Sequence, residues 1–235
     1  MARNILPESI KKRVPVIAGA GSNSTAEAIE YSKHAKKAGA DAVLVVTPYY
    51  NKPTNKGIYL HYKAITDAVN IPVILYNIAG RTGKNIEPEL MAKLAGIKNI
   101  IGVKEASGNL EQMKKIRDVC PKDFLLISGD DALTVPVMKL GGVGVISVAS
   151  NIVPKDVAGV VDAFSKGDQV KADTINGKLL PLVEALFIET NPIPVKTAAA
   201  LMGLCDAAMR LPMCEMEEAN LAKLKNALKM YGLIK

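Results

Sequence analysis

Six short apolar, β-branched runs stand before residue 150, and the first five are each followed by turn residues and a stretch with helical periodicity. That alternation confines the chain to an α/β fold built on a parallel sheet. The strand-like runs are Val14–Ala18, Ala42–Val46, Val73–Tyr76, Ile100–Lys104, Phe124–Ser128 and Gly144–Val148. They start roughly 20 to 30 residues apart, the spacing of βαβ units. Thr25–Lys37, Lys56–Val69, Glu87–Ala95, Leu110–Val119 and Ala132–Leu140 read as the amphipathic helices between them. After Ser150 the alternation stops. Pro154–Phe164, Asp168–Leu186, Pro194–Leu204 and Glu215–Tyr231 read as helices with no strand between them. The expected organisation is a βα-repeat region over 1–150 and a helical C-terminal region over 151–235.

Local start and stop signals agree with this reading. Ser24 and Glu27 have the spacing of a capping box. Glu87-Pro88-Glu89 places proline and acid in a first helical turn. Asp130 or Asp131 caps the helix that follows Ser128-Gly129. Gly39 and Gly141-Gly142 stand where helices stop. A closed barrel of this kind has eight strands and about 250 residues. Six strand runs, with room in residues 1–13 for the end of one helix, predict an incomplete (β/α)8 barrel lacking its first two βα units.

Composition excludes several classes. The longest apolar runs are strand-sized, far below the roughly 20 residues of a membrane span. No charged segment leading into an apolar one opens the chain, so no secretory signal is expected. Cys120, Cys205 and Cys214 are odd in number and lack CxxC spacing, which points to free thiols and the cytoplasm. The net charge is +7, but the lysines are scattered and aromatic residues make up only 4%, too few for a base-stacking platform. Nucleic acid is therefore not expected as a partner. His34 and His61 each stand alone on a helix, which predicts no metal site. Gly19-Ala20-Gly21 begins like a dinucleotide fingerprint, but Ser24 takes the place of its last glycine, leaving a strand-to-helix turn.

Three residues could carry chemistry. Lys104 ends the run Ile100-Ile101-Gly102-Val103, at the C-terminal rim where barrel enzymes build their sites. Apolar surroundings there favour the neutral amine, which can attack a carbonyl. Tyr76 ends the preceding strand, where a phenol can relay protons. Arg81 follows in the loop Asn77–Gly83, and a guanidinium grips a carboxylate with two parallel bonds. Taken singly, each is more often an ordinary surface or packing residue.

Together the strings are specific. Val46-Thr47-Pro48-Tyr49-Tyr50-Asn51, Tyr76-Asn77 with Arg81-Thr82-Gly83, and Gly102-Val103-Lys104-Glu105-Ala106-Ser107-Gly108-Asn109 resemble the dihydrodipicolinate synthases. So do Ser128-Gly129-Asp130-Asp131, Gly144-Val145-Ile146-Ser147 and Asn191-Pro192-Ile193-Pro194-Val195-Lys196, in the same order and from about Val14 to the end. The resemblance implies a TIM barrel with a C-terminal helical region, assembled as a dimer of dimers. It implies a lyase that condenses pyruvate with L-aspartate 4-semialdehyde through an imine, without a cofactor, on the route to diaminopimelate and lysine. By the same resemblance Lys104 forms the Schiff base, Tyr76 relays protons and Arg81 binds carboxylate. Tyr50 matches the tyrosine that reaches into a neighbouring subunit's site, and Gly129 and Ile146 match positions lining the pyruvate pocket. Asn23, Glu27 and Tyr49 match part of a lysine-effector site. Arg81-Thr82-Gly83 favours aspartate semialdehyde over the sugar-acid substrates of sister aldolases.

Two departures stand out. Ala79 replaces a common proline and is expected to loosen the Arg81 loop. The family's N-terminal Gly-Thr-Thr-Gly-Glu segment, which supplies a relay hydroxyl, has no counterpart here. Two alternatives to the synthase follow: a non-catalytic pyruvate-binding or assembly subunit, and a 2-keto-3-deoxy sugar-acid aldolase.

Overall fold

A computed structural model describes Ile10 and residues 12–235. The expectation for residues 1–13 therefore falls almost wholly outside the described residues. The six strands are β1 (Ile17–Gly19), β2 (Ala42–Val46), β3 (Val73–Asn77), β4 (Ile100–Glu105), β5 (Leu125–Ser128) and β6 (Gly144–Val145), and they lie in one sheet in chain order. The pairings of β1 with β2, β2 with β3 and β3 with β4 are parallel. Helices α1 (Thr25–Lys37), α2 (Asn55–Ala68), α3 (Ala79–Thr82), α4 (Pro88–Ala95), α5 (Leu110–Val119) and α6 (Thr134–Lys139) fall between the strands. Helices α7 (Pro154–Ser165), α8 (Gln169–Leu186), α9 (Ile193–Leu201) and α10 (Glu218–Tyr231) follow without a further strand.

The chain divides into two compact units, residues 1–127 with 140–143, and residues 128–139 with 144–235. In the first, strand residues Val43, Val45, Val73, Leu75 and Val103 are wholly buried, as are Ile58, Tyr62, Ile65, Met91, Leu94, Met113 and Ile116 from the helices. Each such side chain contributes about 1.5–3 kcal/mol relative to exposure. In the second unit the core joins Val157 and Val160 of α7, Leu182 and Leu186 of α8, and Leu224 and Leu228 of α10. The β1 edge is different: Ile17 is 43% exposed.

The predicted boundaries shift where local chemistry competes. The Gly144–Val148 run is a strand only over Gly144–Val145; beyond it the Ile146 N–H still reaches the Ser128 carbonyl at 2.9 Å, and the Val148 N–H turns to Asp131 Oδ2 at 2.8 Å. The expected helix 132–140 opens instead as a 3₁₀ turn over Asp131–Leu133 before α6. At α1, Ser24 caps by accepting the Glu27 N–H at 3.5 Å, but the box does not close on itself. Glu27 Oε2 accepts from Ser22 Oγ at 2.6 Å, and that oxygen accepts the Ser24 N–H at 3.1 Å. Ser22 thus relays the second half of the cap.

Gly102 in β4 is a packing requirement. A Cβ there would lie 2.5 Å from the Leu125 carbonyl oxygen. We expect Gly102→Ala to push β4 from β5 and to lower unfolding free energy by about 3 kcal/mol or more, as overpacking of a rigid contact does. Urea denaturation checks this, and an unchanged midpoint would contradict the close approach.

Candidate active site

The site begins with the pairing of β3 and β4. The register sets Tyr76 opposite Lys104 and Asn77 opposite Glu105. Successive strand residues point to opposite faces, so Tyr76 and Lys104 share one face and Asn77 and Glu105 the other. Lys104 Nζ lies 4.2 Å from the centroid of the Tyr76 ring, within cation–π range. Burial pushes the Tyr76 phenol above its usual range, and the Arg81 guanidinium acts against that rise. The phenol is therefore protonated at neutral pH, in the state of a proton donor. Thr47, at the end of β2 and wholly buried, holds the Tyr76 backbone. Its N–H and its hydroxyl both donate to the Tyr76 carbonyl at 3.0 Å.

Arg81 is exposed on α3, a helical turn that the residue pattern did not predict. Ala79 does not leave a slack loop. The N–H groups of Arg81 and Thr82 donate to the Ile78 carbonyl at 3.0 Å, and that of Gly83 to Ala79 at 2.8 Å. Gly83 closes the turn in the left-handed region, with φ of 71°. The Tyr50 loop lies against it. Tyr50 N–H donates to the Thr82 carbonyl at 3.4 Å, and Lys52 Cε stands 2.7 Å from where a Cβ on Gly83 would be. Tyr50 has φ of 69° and is 88% exposed, so its ring projects from a left-handed backbone position.

Gly129 and Ile146 belong to the second unit, half-buried on segments that the structure joins. Ile146 donates its N–H to the Ser128 carbonyl at 2.9 Å. Asp130 is the capping residue there, accepting the Ala132 N–H at 2.9 Å. Asp131 is not. It is buried and accepts from the Ser147 hydroxyl and the Val148 N–H, tying the segment after β5 to the one after β6.

Of the residues expected at an effector site, Asn23 donates from Nδ2 to the Tyr49 carbonyl at 3.2 Å, and Asn51 Nδ2 donates to the Asn23 carbonyl at 3.0 Å. The Glu27 carboxylate is held by Ser22 at the base of the same helix. Cys120 is a buried free thiol, and Cys205 and Cys214 are exposed free thiols. Among the described residues no helix is long and apolar enough to cross a membrane.

With the rim lysine, tyrosine and arginine in place, comparison with known proteins becomes decisive. The profile of the "Dihydrodipicolinate synthetase family" matches residues 4–231. The chain belongs to this family. A 4-hydroxy-tetrahydrodipicolinate synthase of Endomicrobium trichonymphae is 60% identical over 97% of this chain and 78% of its own length. A chloride-inhibited dihydrodipicolinate synthase of Acinetobacter baumannii, solved with pyruvate, is 46% identical with a TM-score of 0.96, covering 98% of this chain and 79% of that one. A dihydrodipicolinate synthase of Cyanidioschyzon merolae, solved with lysine bound, is 44% identical with a TM-score of 0.94, at 98% and 79% coverage. The fold is accordingly the barrel-like α/β fold of the family.

Two features escaped the residue pattern. The polar side chains behind the site, Asn77, Asn85, Glu105 and Gln112, form one hydrogen-bonded group. Strand alternation could have signalled it, since Asn77 and Glu105 each follow a rim residue. The other is His61, read only as a lone helical histidine. It is buried, with Nδ1 2.9 Å from the Thr25 hydroxyl at the start of α1. Burial holds its pKa down at about 4, against 6.5 when free. The unfolded chain therefore binds the extra proton first, and stability falls as pH drops from about 6.5 toward about 4. We expect the wild type to lose about 2 kcal/mol of unfolding free energy through His61 between about pH 7 and pH 5. His61→Gln should remove that part of the slope in urea titrations at the two pH values. An equal slope in both proteins would contradict the assignment.

Proposed function

We propose that Lys104 is the Schiff-base lysine of a 4-hydroxy-tetrahydrodipicolinate synthase, the lyase that joins pyruvate to L-aspartate 4-semialdehyde in lysine and diaminopimelate biosynthesis. The family, and relatives at 52–60% identity that bear this name, carry the function. The observation that supports the residue assignment is the Lys104 amine lying 4.2 Å over the Tyr76 ring, across one strand pair.

The chemistry follows from these groups. The neutral amine adds to the ketone carbon of pyruvate, and the resulting carbinolamine loses water to give the imine. The positive imine nitrogen acidifies the neighbouring methyl group, which gives up a proton to form the enamine. The enamine carbon attacks the aldehyde of the semialdehyde, and the new alkoxide takes a proton. The amino group of the added unit then displaces Lys104 by attacking the imine carbon, closing the ring. Tyr76 serves as the proton carrier in these steps, because its phenol is protonated at rest and the amine lies against its ring. Arg81 binds a substrate carboxylate at the rim, on the turn that Gly83 closes. Its fork-shaped guanidinium and its influence on Tyr76 support that role.

The same reading assigns Gly129 and Ile146 to the pyruvate pocket, and Asn23, Glu27 and Tyr49 to a lysine-effector site. The exposure of Tyr50 supports a place for it against a second copy, in a homo-oligomer built as a dimer of dimers. No cofactor is required, since the protonated imine formed on Lys104 is itself the electron sink. The three free thiols support a cytoplasmic setting. The exposed β1 edge supports a barrel of six βα units that is incomplete without two more.

Borohydride reduction in the presence of pyruvate, with intact mass and peptide mapping, tests the proposal. A single adduct on Lys104 is expected, lost in Lys104→Ala. Folded protein that forms no adduct would favour the non-catalytic reading. Cleavage of a keto-deoxy sugar acid, with no use of aspartate semialdehyde, would favour the aldolase.

A further inference from the structure

The pairing of β3 with β4 contains an irregularity just before the site. Val73 pairs with Ile100, yet Ile74 pairs with Gly102, a shift of one residue. Had the first register continued, Tyr76 would lie opposite Val103 and Asn77 opposite Lys104. A slip of one residue exchanges the faces of a strand, so the amine would no longer meet the phenol ring. The backbone ladder carries the second register to the strand ends, where the Ala106 N–H donates to the Asn77 carbonyl at 2.9 Å.

The side chains on the opposite face add a second link between the same strand ends. Glu105 is wholly buried, and three donors converge on its carboxylate. Asn77 Nδ2 lies 2.9 Å from Oε2, and the Ser107 N–H and Gln112 Nε2 lie 2.9 and 3.5 Å from Oε1. Asn77 cannot turn over, because its Oδ1 accepts the Ile86 N–H at 3.0 Å. Its Nδ2 also lies 2.8 Å from Asn85 Oδ1, and Asn85 Nδ2 donates to Gln112 Oε1 at 2.8 Å. The group joins the ends of β3 and β4 to the start of α5. Burying a carboxylate is costly, and apolar residues would pack the same space at less cost. What apolar residues would not supply is a directional link that selects one register.

We infer that Glu105 is a positioning residue: bonded to Asn77 across β3 and β4, it fixes the register that holds the Lys104 amine over Tyr76. The inference rests on Lys104 being the imine-forming lysine. It assigns to the far side of the strands a role in the rate of imine formation, distinct from general stability.

The test uses Glu105→Gln in the full chain. Glutamine has the same shape, but its NH₂ must face a donor, either Asn77 Nδ2 or the Ser107 N–H. We expect the folded variant to form the borohydride-trapped adduct about 10- to 100-fold more slowly, as displacement of a reacting group does. The loss should fall on kcat, with KM for pyruvate changing less than about 3-fold. Moving the carboxylate across the strands, in Asn77→Asp with Glu105→Gln, should recover part of that loss. The glutamine can then donate to the aspartate and accept from Ser107, though the Asn85 contact is forfeited. If Glu105→Gln fails to fold, Asn77→Ala, which removes the bond across the strands and leaves the carboxylate its Ser107 and Gln112 donors, should slow trapping about 10-fold. Wild-type trapping and kcat in the folded Glu105→Gln protein, or in Asn77→Ala where that variant must serve, would overturn the inference. So would a double variant that recovers nothing. If the parent chain forms no adduct, the reading of Lys104 falls, and the inference with it.

Discussion

The candidate site rests on the parallel pairing of β3 with β4 in one register. A strand pair offers its side chains to two faces in strict alternation. One pairing therefore decides at once what faces the chemistry and what faces the helices behind it. Here it sets Tyr76 and Lys104 on one side, Asn77 and Glu105 on the other. Neighbouring features reinforce it. Thr47 binds the Tyr76 carbonyl with two donors from β2, and Gly102 allows the backbone of β4 to approach β5. Between rigid strands the amine and the phenol need no long loop to bring them together.

Charge and burial divide the labour around that pair. The apolar core of the first unit supplies most of the stabilisation, since its strand and helix residues are removed from water. The buried polar groups contribute less to net stability and more to direction. Glu105, Asn77 and Gln112 satisfy one another, and Asp131 satisfies Ser147 and Val148 in the second unit. Each joins the segment after one strand to a segment elsewhere in its own unit. The rim loops are held by lighter means, such as the closed turn under Arg81 and the Tyr50–Thr82 backbone bond. They can carry specificity without disturbing the strands.

Much of this was legible in the residues. The six strand runs, the helices between them and the change to helices after Ser150 all appear in the structure, because apolar periodicity is a local property of the chain. Lys104 and Tyr76 stand out as candidates because both lie near the ends of strands of a βα repeat, each one residue before its strand stops at Glu105 and Asn77. The short β6 and the turn α3 were not legible. After the first, the Val148 N–H is taken by Asp131, thirteen residues before β6, and the second is closed by bonds back to Ile78 that compete with an extended loop.

The sequence by itself determined the alternating α/β architecture and the family, because each is carried by short-range pattern and residue type. Only the tertiary structure decided which residues on β3 and β4 meet. The one-residue shift after Val73 is invisible in either strand alone, since it is a property of their pairing and not of either residue pattern. The choice belongs to a contact between side chains 28 positions apart, Asn77 and Glu105, whose polar atoms must find one another once water is gone.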